Sequence, residues 1–141
     1  MDPGRLVEFG IQNHCNSADL FEYARSKRIQ VVPYEKLREG RAVSEFKKVL
    51  KALRRKSDVI LISLDLDSVS FAWAPGVSAP QAEGFTASEL FQMLEFAGAD
   101  SKVVSLGIFE LSPPLDFQDL KARLAAQGAF KFLHSKLYRK A

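Results

Sequence analysis

The chain has 141 residues, of which 47% are hydrophobic and 26% charged, and its formal net charge is +3. That length fits one domain spanning 1–141 with a single core, and the composition excludes a disordered chain. The charge is too small to imply a nucleic-acid partner, and one cysteine, Cys15, rules out an internal disulfide or a thiolate metal cluster, so a reducing, cytoplasmic setting is expected.

In chain order, Met1-Asp2-Pro3-Gly4 leads straight into a short apolar run and not into a secretory pattern. That run, Leu6 to Phe9, is the first predicted strand. Ser17 or Asn16 caps a helix through Leu20, Phe21, Tyr23 and Ala24, and Ile29 to Val32 is the second strand. Val43, Phe46, Val49, Leu50 and Leu53 recur at helical intervals and predict an amphipathic helix over about 42–56. Lys47, Lys48, Lys51, Arg54, Arg55 and Lys56 read as its solvated side, with the last of them suiting the helix dipole; Arg139-Lys140 adds little.

The run from Val59 to Leu64 is the longest apolar stretch, strand-sized and far short of a membrane span. Its continuity predicts a strand buried on both faces. Residues 72–85, with Pro75, Gly76, Pro80 and Gly84, form a long irregular loop of the kind that usually carries function. Phe71 and Trp73 are expected to pack this loop against the core. Thr86 to Glu89 is a capping box, which gives Glu89 a sufficient structural role. Val103 to Phe109 is the fourth strand. Asp116 caps a last helix through Leu120, Leu124, Phe130, Phe132 and Leu133, and Gly128 is where that helix is expected to bend or break. Strands alternating with helices predict an α/β fold, a parallel sheet with flanking helices.

The chemistry concentrates at Ser63-Leu64-Asp65-Leu66-Asp67. Residues two apart in a strand share a face, so Asp65 and Asp67 are expected to project together from the carboxyl end of a parallel strand, where ligands of such sheets bind. Side by side, two carboxylates repel; one takes up a proton or a hard divalent cation lies between them. The alternative is that one Asp caps the following loop and the other is solvated. Glu110 ends the next strand and faces the same crevice, or else bonds to nearby loop amides. His14 and His134 have no ligand partner at i+2 or i+4 and read as plain polar residues.

Four blocks occur in order: Asp65-Leu66-Asp67, then Ala74-Pro75-Gly76-Val77-Ser78-Ala79-Pro80, then Gly84-Phe85-Thr86 with Glu89, then Gly107-Ile108-Phe109-Glu110-Leu111-Ser112-Pro113. They resemble the second half of the arginase, or ureohydrolase, family, whose pattern is S-x-D-x-D, a Pro/Gly-rich loop, G-L-T-x-x-E and D-x-x-E-x-x-P. The blocks align from Asp65 to Pro113 without a gap. The loop wording is more similar to formimidoylglutamase, the histidine-degradation member, than to arginase or agmatinase. Phe9-Gly10-Ile11-Gln12 with Asn16-Ser17, and Ala122 to Ala126, are similar too, so the likeness spans nearly the whole chain.

The resemblance implies the C-terminal half of an arginase-like three-layer αβα fold. It implies hydrolysis of a linear C–N bond with a pair of manganese ions, which lower the pKa of bound water from 15.7 toward about neutral. By motif position Asp65 and Asp67 are metal ligands and Glu110 orients the amidine-like group of the substrate. The implied reaction converts N-formimino-L-glutamate to L-glutamate and formamide; the alternatives are an agmatinase-like guanidino hydrolase and a non-catalytic interaction module. The family's two other metal blocks, G-G-D-H and D-A-H-x-D, do not occur in this chain, so it supplies only part of the Mn²⁺ ligands, no general acid or base is identifiable, and it is expected to be inactive alone. Gly107 stands where the family usually has Asp, and Ser70 where arginase and agmatinase usually have a further Asp. With the missing strands, Leu6 to Phe9 becomes an open hydrophobic edge, which predicts self-association or pairing with a complementary N-terminal half. No membrane or nucleic-acid partner is expected.

Overall fold

Four apolar strands and four α-helices alternate along the computed structural model, which describes residues 2–138; Met1, Arg139 and Lys140 lie outside the described residues. Contacts divide the chain into two units, one up to Ser57 and one from Asp58 onward.

The first unit contains β1 (Val7–Ile11), α1 (Ala18–Ser26), β2 (Gln30–Pro33) and α2 (Ala42–Lys56). β1 and β2 pair in parallel, so α1 is the crossover of a βαβ turn. The α1 start is legible in the sequence: Ser17 is the cap, its Oγ accepting from the Leu20 amide at 3.4 Å. The ladder slips between Phe9 and Ile11, at Gly10, whose φ of +87° is open only to glycine at low cost. Phe9 meets Phe46 edge-on with ring centroids 5.7 Å apart, and Leu50 and Ala42 are buried on the same helix. The six basic residues of α2 are all exposed.

The second unit contains β3 (Ile60–Asp65), α3 (Ala87–Ala99), β4 (Val103–Phe109) and α4 (Leu120–Leu137). β3 and β4 are parallel, with Leu64 opposite Ile108 and Asp65 opposite Phe109. The described strands thus form two two-stranded parallel sheets in place of one continuous ladder. β3 is not buried on both faces, as its apolar run suggested. Ile60 and Leu64 are buried, while Leu61 is 58% exposed and Val104 on β4 54%. A parallel strand is buried twice only where elements cover both faces, and here one face stays open.

α3 and α4 pack closely through Leu90, Met93, Leu94 and Ala97 on one side and Leu124 and Phe132 on the other. Gly128 does not break α4, which runs continuously from Leu120 to Leu137. The glycine lets α3 come near: a Cβ there would lie 2.9 Å from Leu94 Cδ1, and the packing offsets the weak helix propensity of about 1 kcal/mol. Lys131 bridges to Glu95 across the pair at 2.8 Å.

The α3 capping box is complete. Thr86 Oγ1 accepts from the Glu89 amide at 3.2 Å, and Glu89 Oε2 accepts from the Thr86 amide at 2.9 Å. Thr86→Ala is expected to cost about 1 kcal/mol, lowering the thermal midpoint by roughly 4–8 °C for a unit of this size; a melt followed by circular dichroism checks it. No helix among the described residues is long and apolar enough to cross a membrane.

Candidate functional site

β3 and β4 end together, and that shared end gathers the polar residues. Because Asp65 is in register with Phe109, Glu110 is the next residue out on the same rim. Asp67 arrives there differently from the expected alternation. The strand stops at Asp65, and Leu66–Ser68 forms a single 3-10 turn anchored by fully buried Leu66. Ser68 Oγ donates to the Asp65 carbonyl at 2.6 Å and locks that turn. Asp65 is exposed and Asp67 half-buried.

The carboxyl of Asp67 is held above its ordinary value. Burial is the main cause, followed by repulsion from Asp65 and then from Glu110; Lys121 and a backbone bond oppose the rise. The acids therefore sense one another across the rim although strand alternation does not align them.

The loop after Asp67 is irregular but firmly anchored. Val69, Ala74, Val77 and Phe85 are buried, and Val69 bridges to Phe85. The amide of Ser70 donates to Phe85 O at 3.1 Å, the Phe85 amide to Ser68 O at 3.0 Å, and Ser70 Oγ to Ala82 O at 2.7 Å. Gly84 sits where a Cβ would meet Ser70 N at 2.5 Å, so only glycine lets the two segments close. Phe71 and Trp73 do not pack this loop into the core; they are 49% and 51% exposed, while Ala74 and Val77 are among its buried residues.

Farther along, the loop is stitched to the end of β4. The Ser112 amide donates to Gly76 O at 3.0 Å, and Ser78 Oγ donates to Glu110 Oε2 at 3.1 Å. Glu110 itself has φ +62°, a left-handed conformation that non-glycine residues seldom adopt. Beneath them lies Lys121, fully buried, whose Nζ donates to the carbonyls of Gly76 and Glu110. Asp116 caps α4 from a distance. The helix starts at Leu120, yet the Asp116 carboxylate accepts the amides of Lys121 and Ala122 at 2.9 Å each.

Three predicted residues, Asp65, Asp67 and Glu110, thus share one rim, and Glu89 does not join them because both its bonds belong to the α3 cap. His14 lies in an exposed turn, and His134 stacks along α4 between Phe130 and Tyr138 at 5.7 and 4.8 Å. Lys121, Ser78 and Asp116's second bond were not foreseen. The available signal for Lys121 was its place on the stripe Lys121, Leu124, Gly128, Phe132, which is the buried face of α4.

The sequence pattern of the Arginase family matches residues 1–134. The chain belongs to the arginase family. A formimidoylglutamase from Legionella pneumophila (strain Lens) is 38% identical over 117 residues, 83% of this chain and 36% of that protein. One from Bacillus subtilis (strain 168) is 30% identical over 121 residues, 86% of this chain and 38% of that protein. The crystal structure of formimidoylglutamase from Bacillus subtilis superposes with a TM-score of 0.94 at 26% identity, covering 99% of this chain and 44% of that one. Formiminoglutamase from Trypanosoma cruzi with Mn²⁺ superposes at 0.91 and 26% identity, covering 99% and 46%. The chain spans about two fifths of the length of the curated relatives it matches.

For an arginase-family rim, the departures have physical readings. At Gly107 a Cβ would lie 2.6 Å from Phe109 Cε2, so the Phe109 ring occupies the space over a position that the family usually fills with Asp. Ser70 spends its hydroxyl on the loop. The remaining donors suit manganese in kind, since Asp65 and Asp67 offer hard oxygens and Asp67 is pushed toward protonation by burial first and by Asp65 and Glu110 second. In number they fit only in part: among the described residues no group of three or more His, Cys, Asp or Glu is placed to hold a metal ion.

Proposed function

We propose that this chain is the Asp-x-Asp and glutamate-bearing part of a formimidoylglutamase-type hydrolase, acting on N-formimino-L-glutamate to give L-glutamate and formamide. In this reading Asp65 and Asp67 contribute oxygen ligands to Mn²⁺, the remaining ligands come from a complementary N-terminal half, and the two units work as one arginase-like domain. The observation that carries it is the shared rim: Asp65 and Glu110 at the ends of paired parallel strands, with Asp67 close enough to feel both.

Manganese, when bound, supplies an activated water at neutral pH. The chain's own residues do the rest of the positioning. Glu110 presents a carboxylate, steadied by Ser78, that accepts the N–H groups of a cationic amidine. The carboxylate-rich rim favours that cation over a neutral amide. The open sheet face with Leu61 and Val104 supports a need for a covering polypeptide.

Formamide release tests this. The chain with Mn²⁺ is expected to show no turnover, and mixing it with the N-terminal half of the Bacillus subtilis relative is expected to restore it. A stable mixed complex with Mn²⁺ that leaves N-formimino-L-glutamate intact would overturn the hydrolase reading. Turnover of agmatine by the same complex would replace it with the guanidino one.

A further inference from the structure

Lys121 belongs to none of the motif blocks, yet it has the most enclosed side chain at the rim. Its residue surface is fully buried, and its Nζ donates to Gly76 O at 3.0 Å and to Glu110 O. An ammonium is costly to bury unless its donors are satisfied and opposite charge is near. Burial accordingly pulls the Lys121 pKa down, while Asp67, Glu110 and Asp116 favour its charged form.

The two carbonyls it joins come from segments far apart in sequence. Gly76 packs tightly against Asp116, since a Cβ there would lie 2.7 Å from Asp116 Cα. Asp116 in turn fixes the start of α4 by accepting the amides of Lys121 and Ala122. The lysine therefore reaches out from a pinned helix end to a pinned loop. One of the two carbonyls it grips belongs to Glu110, whose backbone is left-handed at φ +62°. Left-handed backbone in a non-glycine residue persists only where its surroundings hold it.

We propose that Lys121 is the positioning residue for Glu110: by holding the Gly76 and Glu110 carbonyls together it fixes the backbone from which the Glu110 carboxylate is presented beside Ser78. What the carboxylate is presented to, an amidinium next to a metal, rests on the hydrolase reading above. The clamp itself does not.

Nuclear magnetic resonance on the 141-residue chain tests both separately. In the wild type, scalar couplings through hydrogen bonds are expected from Lys121 Nζ to the carbonyl carbons of Gly76 and Glu110. Lys121→Met should abolish them and move the Glu110 Cα resonance from the left-handed to the extended range, with Lys121→Arg intermediate. Lys136→Met is the structural control. Lys136 also grips two backbone carbonyls, Asp100 O and Val103 O, near the other end of α4, so its loss should lower the unfolding midpoint and leave Glu110 unmoved. Absent couplings in the wild type, an unmoved Glu110 in Lys121→Met, or an equal shift in Lys136→Met would overturn the proposal. Should Lys121→Met fail to fold, the wild-type couplings and Lys121→Arg decide. Added MnCl₂ should broaden Asp65, Asp67 and Glu110 in the wild type and spare Glu110 more in Lys121→Met. Broadening of none of the three would sink the metal reading while the clamp result stands.

Discussion

Gly98→Ala is expected to destabilise the second unit by about 3 kcal/mol, the upper end of what overpacking costs. A Cβ at Gly98 would lie 2.2 Å from Phe132 O and 3.0 Å from its carbonyl carbon. These are backbone atoms in the middle of α4, so no rotamer change relieves the clash. The two helices must separate, and Ala97, Met93 and Leu94 lose contact with α4 as they do. At roughly 4–8 °C per kcal/mol for a unit of this size, the midpoint should fall by about 12–24 °C. Gly128→Ala is the matched comparison, because the same helix pair meets there through a side chain. Its Cβ would face Leu94 Cδ1 at 2.9 Å, the far end of a side chain that can turn, and the substitution gains about 1 kcal/mol of helix propensity. It should be near neutral. Thermal melts of the two variants check the contrast, and equal losses would show that close approach of the helices is not what Gly98 provides.

The same distinction between local and tertiary causes explains which features could be read from the residues alone. α2 was legible to its ends because five apolar residues recur on one face and basic residues fill the other. The α3 start was legible because a capping box is a short-range device whose partners are three residues apart. β4 covers the residues its apolar run predicts, while β1, β2 and β3 are displaced by a residue or two. Ile11 and Pro33 extend them beyond the apolar runs, since ladder pairing and not side-chain polarity sets the ends. Asp67 was placed on a strand because alternation was the only local rule available; the 3-10 turn that actually carries it depends on Leu66 being driven into the core. Hydrophobicity alone places Trp73 and Phe71 in the core, whereas the fold of the loop buries Ala74 and Val77 and leaves both aromatic residues about half exposed. Lys121 is hard to read for a different reason, despite its place on the apolar stripe of α4. A lysine on a helix is solvated by default, and only the arrival of Gly76 and Glu110 from distant segments makes its burial possible.

Asp67→Asn is expected to act in opposite directions with and without manganese. In chelator the variant should be more stable than the wild type at pH 7. The folded-state pKa of Asp67 is raised, so the native chain holds that proton more tightly than the unfolded chain does. The associated stability is fully present below the unfolded value of 3.8 and is lost as pH rises through the higher folded value. Asparagine keeps the uncharged state at every pH, so its advantage should grow between acid and neutral pH and vanish below about pH 3.8. On the proposed metal reading, manganese is expected to reverse the order, because a ligand that binds only the native state stabilises it by about 2.7 kcal/mol at a concentration of 100 Kd. Binding needs the ionised carboxylate, so that gain should weaken as pH falls and should be absent in Asp67→Asn. In the complex reconstituted with an N-terminal half, the variant should reduce formamide release to background. Unfolding curves at several pH values, with chelator and with MnCl₂, measure both arms. Equal stabilisation of wild type and variant by manganese would remove Asp67 from the metal's ligands. A variant less stable than wild type in chelator at pH 7 would mean that the carboxylate is held by favourable bonds and is not strained by its neighbours.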